Sequence, residues 1–108
     1  MIDEPGAAAP PLEPGGPPSD ALRRLVKICN RKGLHARAAA RFVKTASQFD
    51  AEVWVRKNGT AVSGRSIMGL MMLAAASGTD VELSASGPQA SEAVTTLARL
   101  IECKFDED

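Results

Sequence analysis

The chain has 108 residues, 44% of them hydrophobic, which fits one domain with a modest core and no deep cavity between two lobes. Lys and Arg (13) balance Asp and Glu (13), so no net charge attracts the chain to nucleic acid or an anionic membrane. Cys29 and Cys103 lack metal-ligand spacing, no segment is typical of a signal peptide, and no apolar run reaches the roughly 20 residues that cross a bilayer. We therefore expect a cytoplasmic protein with free cysteines and with no metal, cofactor or membrane partner.

The N-terminal segment differs in composition from the rest of the chain. Residues 1–19 contain all but one of the seven prolines and have no periodic apolar pattern, which is typical of an extended, solvated tail. The folded domain is therefore predicted over residues 20–105, and the acidic residues 106–108 are predicted to be frayed.

The first half of the domain predicts a strand, a helix and a hairpin. LRRLVKIC (22–29) has the composition of a strand. After His35, apolar residues recur at helical spacing, with a basic outer face. In AEVWVRKNGTAVSG (51–64), Asn58-Gly59 is the residue pair that a tight hairpin turn favours. Trp54 would lie on the polar face of its strand, either as an exposed binding residue or, as we prefer, as a packing residue.

The second half predicts a helix, a strand and a final helix. Ser66 is a candidate N-cap and Gly78 a candidate stop. The predicted buried stripe of the helix between them consists of Ile67, Leu70, Met71 and Ala74. DVELSASG (80–87) alternates as a strand, and the last helix should bury Ala90, Ala93, Val94, Leu97 and Ile101. The order βαββαβα predicts an α+β open-faced sandwich, with an antiparallel sheet covered by the helices on one face.

Three methionines follow Ser66 within one short helix. Met68, Met71 and Met72 cannot all face a core from so short a helix, so at least one should be exposed as a soft apolar contact for partners. The alternative is that all three fill irregular gaps in the core.

The single histidine of the chain lies in KGLHARAAA, at the predicted start of the first helix. Gly33 permits an unusual backbone conformation, and the first-turn N–H groups of Ala36, Arg37 and Ala38 would form an anion site. The guanidinium of Arg37 is suited to phosphate oxygens. This arrangement predicts that His35 accepts a phosphoryl group.

Other parts of a phosphotransfer enzyme are missing from the sequence. It has no second histidine, no Gly-rich nucleotide loop, no acidic pair for magnesium and no Ser/His/Asp set. We therefore interpret the chain as a stoichiometric carrier, not an enzyme by itself, whose catalysts are its partners.

Two segments resemble a known family. KGLHARAAARFV and GRSIMGLMMLAAASGTDVELSASG are similar to the active-site segment and the second-helix region of HPr, the histidine-containing phosphocarrier of the phosphoenolpyruvate-dependent phosphotransferase system. The resemblance covers roughly residues 21–104. It implies that enzyme I phosphorylates His35 on Nδ1, that Arg37 assists, that an enzyme IIA domain receives the group, and that the sheet has the strand order 1-4-2-3.

The resemblance also suggests roles for residues beyond the histidine segment. It implies that Ser66 is a target of an HPr kinase/phosphorylase in some bacteria. The partner surface would include the side chains of Arg41, Lys44, Met68, Met71 and Met72, next to His35. The family commonly has proline where this chain has Ala38, which keeps a backbone donor and leaves the first turn less rigid.

Three alternative functions remain at this point. A nucleic-acid-binding module would need a net positive charge and exposed aromatic residues. A carrier loaded on Ser66 with a prosthetic arm would be expected in an acidic helical domain without a sheet. A regulatory, nitrogen-type phosphorelay without sugar transport would use the same histidine, so the sequence does not separate it from the sugar system. In either relay we expect a monomer.

Overall fold

The computed structural model describes residues 16–107, so most of the predicted tail and Asp108 lie outside the described residues. The elements, in chain order, are β1 (Leu22–Lys27), α1 (Ala36–Ala46), β2 (Glu52–Lys57), β3 (Thr60–Ser63), α2 (Ile67–Met72), β4 (Asp80–Ser86), α3 (Ala90–Glu102) and a terminal 3₁₀ turn (Lys104–Asp106). Within this range, no helix is long and apolar enough to cross a membrane. The order of strands and helices confirms the predicted βαββαβα pattern.

The four strands form one antiparallel sheet in the order β1-β4-β2-β3. β4 lies between β1 and β2, and Ala85 pairs with Leu22 on one side and with Val53 on the other. In this register Val53, Val55 and Leu83 are almost completely buried. The α+β open-faced sandwich and the 1-4-2-3 strand order are both confirmed.

The helices bury their apolar stripes in a single core. In α1, Ala39, Phe42 and Ala46 are buried, as the spacing predicts. In α3 the buried stripe contains the predicted residues Ala90, Ala93, Val94, Leu97 and Ile101, together with Ala98. α3 packs against β1 and β4, and α1 contacts both α2 and α3. These contacts fix α1 in the fold, and His35 lies partly exposed at its N-terminal end.

The hairpin between β2 and β3 forms at the predicted residues. Asn58 and Gly59 have φ angles of 50° and 82°, the positive values that a two-residue hairpin loop of this kind requires. On β2, Trp54 is only 9% exposed, so the packing interpretation of this residue is confirmed and the exposed one is wrong.

α2 is shorter and more exposed than the sequence predicts. It ends at Met72, because Lys57 Nζ binds the carbonyl oxygens of Leu73 (2.9 Å) and Ala74 (3.0 Å) and Ala74 has a φ of 53°. The core contacts come from Leu70 and Leu73. The predicted burial of Ile67, Met71 and Ala74 is therefore wrong, because a helix of six residues presents too few turns to build that stripe.

The sequence predicts a frayed acidic end over residues 106–108; in the structure Asp106 belongs to the terminal 3₁₀ turn and Glu107 contacts His35. Phe105 is completely buried in the core and fixes the terminal turn against α1 and α3. Cys29 and Cys103 are free, as expected, and the Cys29 thiol donates to the Ile101 carbonyl at 3.3 Å.

Candidate functional site

The loop before α1 fixes the position of His35. Gly33 has a φ of 66°, and a Cβ atom placed there would lie 2.5 Å from the Ala75 carbonyl oxygen. Only glycine fits this close approach. The Leu34 N–H donates to the same Ala75 oxygen (2.9 Å), and the His35 N–H donates to the Gly33 carbonyl (2.9 Å). The loop is thus tied to the segment after α2, and His35 is the N-cap of α1.

Both ring nitrogens of His35 have partners. The backbone N–H of Arg37 points to Nδ1 at 3.3 Å, and the carboxylate of Glu107 lies 2.9 Å from Nε2 through Oε2 and 3.2 Å through Oε1. An N–H can only donate, so Nδ1 accepts and carries no proton in this geometry. The proton of the neutral ring is then assigned to Nε2, which donates to the carboxylate.

Cationic side chains surround the histidine. A shallow pocket of about 180 Å³ is lined by Arg31, Lys32, His35, Arg37 and Glu107. The imidazole is 25% exposed at its wall, enough to be reached from solvent. Three cations and the N-terminal end of an 11-residue helix suit a small anion, and the carboxylate of Glu107 is the one negative group among the described lining side chains.

Within α1, the first-turn residues differ in exposure. Ala36 and Arg37 are exposed, whereas the side chain of Ala38 is fully buried. The first intrahelical bond runs from the Ala39 N–H to the His35 carbonyl (2.8 Å), so the N–H groups of Ala36 to Ala38 precede the regular helical bonds. These groups therefore remain candidates for binding phosphate oxygens.

An exposed apolar surface lies on the neighbouring helix. Met68 (71%), Met71 (42%) and Met72 (77%) are all exposed, so the interpretation that all three fill core gaps is wrong. Ser66 caps α2 as predicted, and its Oγ accepts the Gly69 N–H at 2.9 Å. α2 packs on α1, whose exposed residues include Arg41 and Lys44, and Arg41 lies 3.9 Å from Asp106 of the terminal turn.

The structure adds two residues that the sequence analysis missed. The sequence predicts that Glu107, which has acidic neighbours, belongs to a frayed end. Asn30 lies in a segment without a recognisable motif. Asn30 is fully buried, and its Nδ2 donates to the Gly33 carbonyl (2.8 Å) and reaches Glu107 Oε1 (3.5 Å). The only sequence signal for Glu107 is Phe105, an apolar residue inside the acidic end that needs burial.

Comparisons with known proteins agree with this fold. A family model described as "PTS HPr component phosphorylation site" matches residues 22–103. The phosphocarrier protein HPr of Neisseria meningitidis is 54% identical over 86 residues, which cover 80% of this chain and 97% of that protein. The phosphocarrier protein NPr of Shewanella violacea is 41% identical over 86 residues, with coverages of 80% and 94%.

Solved structures give the same result. The crystal structure of HPr-C-His from Thermoanaerobacter tengcongensis has a TM-score of 0.77 and 46% identity, and the match covers 81% of this chain and 98% of that one. Together, the fold and the family model define the class as phosphocarrier proteins of the phosphotransferase system. Within this class, the chain belongs to the HPr family.

Proposed function

We propose that His35 accepts a phosphoryl group from enzyme I, which takes it from phosphoenolpyruvate, and passes it to an enzyme IIA protein in the cytoplasm. The observation that carries this proposal is the state of the ring: Nδ1 carries no proton, and its single lone pair accepts only one long hydrogen bond, from the Arg37 nitrogen at 3.3 Å. A hydrogen bond of this length is weak, so little free energy is needed to break it and make the lone pair available to an incoming phosphorus atom.

The surrounding groups support phosphoryl transfer at Nδ1. When the Nδ1–P bond forms, the Arg37 N–H loses its acceptor and can donate to a phosphoryl oxygen instead. The N–H groups of Ala36 and Ala38 and the guanidinium of Arg37 supply further donors. Arg31 and Lys32 line the same pocket and offset the negative charge. This chain supplies the hydrogen-bond donors, and the partners supply the groups that give and receive the phosphoryl group.

Partner binding is assigned to the exposed side of α1 and α2. Arg41, Lys44 and the exposed methionines would form an apolar surface with basic side chains around it, suited to brief contact with acidic partner surfaces. Such contacts exchange quickly, as a carrier that visits two partners as a monomer requires.

A second candidate is a nitrogen-type regulatory relay, in which the phosphorylation state alters partner binding and no sugar is transported. The 41% identity to a protein named NPr supports this second candidate function. Ser66 is the proposed regulatory site for an HPr kinase/phosphorylase, because a phosphate there would add negative charge beside the exposed methionines.

The test is phosphorylation by enzyme I with magnesium and labelled phosphoenolpyruvate. We expect acid-labile, alkali-stable label on the wild type and none on His35→Ala, because a phosphoramidate bond is acid-labile whereas phosphoserine is not. Transfer of the label to purified sugar-type and nitrogen-type enzyme IIA proteins then separates the two relays. Label retained on His35→Ala, or no label on the wild type, would contradict the proposal.

A further inference from the structure

The carboxylate of Glu107 is held against the imidazole by more than one contact. Its side chain is only 15% exposed, it lies 2.9 Å from Nε2, and the buried amide of Asn30 reaches its second oxygen. Glu107 and the Arg37 N–H therefore form hydrogen bonds to the two ring nitrogens, and these two bonds restrain rotation of the imidazole.

The backbone that delivers Glu107 is unusual. Lys104, Phe105 and Asp106 have φ angles of 58°, 55° and 59°, three successive left-handed conformations in residues other than glycine. Such a run persists only where its surroundings determine it, and it is typical of functional sites. Here burial of Phe105 determines it, and the Glu107 N–H closes the turn on the Lys104 carbonyl (3.0 Å).

We infer that Glu107 is a positioning residue for the transfer proposed above: by accepting a hydrogen bond from the Nε2–H group, it keeps the Nδ1 lone pair directed at the pocket and compensates the charge that forms on the ring. This inference rests on the proposed function, and it assigns the turn at Lys104–Asp106 the task of holding the carboxylate in place.

The charge balance of the step shows why a carboxylate is useful. The Nδ1 lone pair forms a bond to phosphorus while the bond from phosphorus to the leaving atom of the phosphoryl donor breaks, and that electron pair stays with the donor. Nε2 keeps its proton, so the ring becomes positive and lies next to the Glu107 carboxylate. No proton has to leave His35 during transfer.

The position of the carboxylate also separates it from the phosphoryl group by the width of the ring. Glu107 lies on the Nε2 side, whereas the phosphoryl group would be on the Nδ1 side, by the Arg37 N–H. The cationic side chains that line this pocket with His35 and Glu107 are those of Arg31, Lys32 and Arg37. The site therefore accommodates both negative groups at opposite nitrogens of the ring.

The experiment uses the full chain and a small chemical donor, potassium phosphoramidate, so that partner docking does not contribute. Attack by Nδ1 then releases ammonia. The variants are Glu107→Ala, Glu107→Gln, whose amide oxygen can still accept a hydrogen bond from Nε2–H, and the matched control Asp106→Asn. Asp106 lies in the same turn and carries the same charge but is exposed and 3.9 Å from Arg41. The exchange rate of the Nε2 proton, measured by nitrogen-15 NMR, is the second readout.

We expect Glu107→Ala to slow phosphorylation and to speed Nε2 proton exchange, each by about tenfold, the effect of losing one hydrogen bond to a charged group. Glu107→Gln should restore slow exchange and recover the rate in part, and Asp106→Asn should match the wild type. Unchanged or faster phosphorylation in Glu107→Ala, or an equal loss in Asp106→Asn, would overturn the inference. If enzyme I fails to label the wild type while these effects appear, the proposed function fails and the role of Glu107 stands.

Discussion

The side chains of His35 and Ser66 each cap a helix, and each accepts a backbone N–H with the atom that would carry phosphate. Nδ1 of His35 accepts from Arg37 and Oγ of Ser66 accepts from Gly69. Modification of either atom therefore disturbs an existing cap and leaves a donor for the phosphate. At the residue scale the two sites differ in their surroundings, since cationic side chains line the pocket of His35 and exposed methionines follow Ser66.

Replacement of the Ser66 cap should have two separate effects. Ser66→Ala is expected to lower the free energy of unfolding by about 1 kcal/mol, because the Gly69 N–H loses its acceptor. It should also abolish labelling by an HPr kinase. Urea unfolding and kinase labelling check these effects, with Ser77→Ala, an exposed serine in the turn before β4, as the control. Label remaining on Ser66→Ala would place the kinase target elsewhere.

At the scale of elements, the first turn of α1 predicts that proline would fit position 38 as well as alanine does. The Ala38 N–H precedes the first intrahelical bond, which the Ala39 N–H makes to the His35 carbonyl. Proline removes a donor that this helix does not use internally. The side chain is buried, so it contributes to packing and not to the exposed face of the site.

Ala38→Pro should leave the fold intact and change the rate of phosphoryl transfer by less than about tenfold, which corresponds to under about 1.4 kcal/mol of barrier. Ala40→Pro is the matched control: this exposed residue lies past the first turn, and loss of its intrahelical bond should cost about 3 kcal/mol of stability. Circular dichroism and single-turnover kinetics measure both. A larger rate loss in a folded Ala38→Pro protein would show that the Ala38 N–H contributes more to transfer than the other phosphate donors can replace.

α2 shows where reasoning from one element alone fails. The spacing of its apolar residues predicts a longer buried stripe. In the structure, Lys57 from the hairpin binds the carbonyl groups at the end of the helix, and the Ala75 carbonyl accepts the Leu34 N–H. These constraints come from segments distant in the sequence, so the helix period does not contain them. What the period did indicate, that a methionine would be exposed, is confirmed for all three methionines.

At the scale of the whole molecule, a neutral chain concentrates basic side chains near one helix end. The total of 13 basic and 13 acidic residues gives no net charge, while Arg31, Lys32 and Arg37 share one pocket. The site is therefore attractive to a small anion without making the whole protein a binder of polyanions. The described residues of the site lie between Asn30 and Glu107 in the chain, and Glu107 lies two residues beyond the predicted end of the domain.

Removal of residues 1–19 should leave the transfer rate unchanged within about twofold, because changes on an exposed surface usually alter free energies by less than about 0.5 kcal/mol. The described contacts that would be lost are those of the Pro18 carbonyl with the Ala21 N–H (3.1 Å) and the exposed Arg23 guanidinium (3.2 Å). Transfer from enzyme I, compared with the full chain, is the measurement. A loss of tenfold or more would mean that this segment contributes to docking.

The sequence by itself determined the features that depend on neighbouring residues. Asn58-Gly59 fixed the hairpin, the apolar period fixed the buried faces of α1 and α3, and Gly33 with His35 fixed the loop and cap at the start of α1. Only the tertiary structure decided that Glu107, 72 residues from His35, would contact the imidazole. The physical reason is that burial of Phe105 sustains a left-handed turn that its local sequence disfavours, and the free energy of that burial comes from a core built by distant elements.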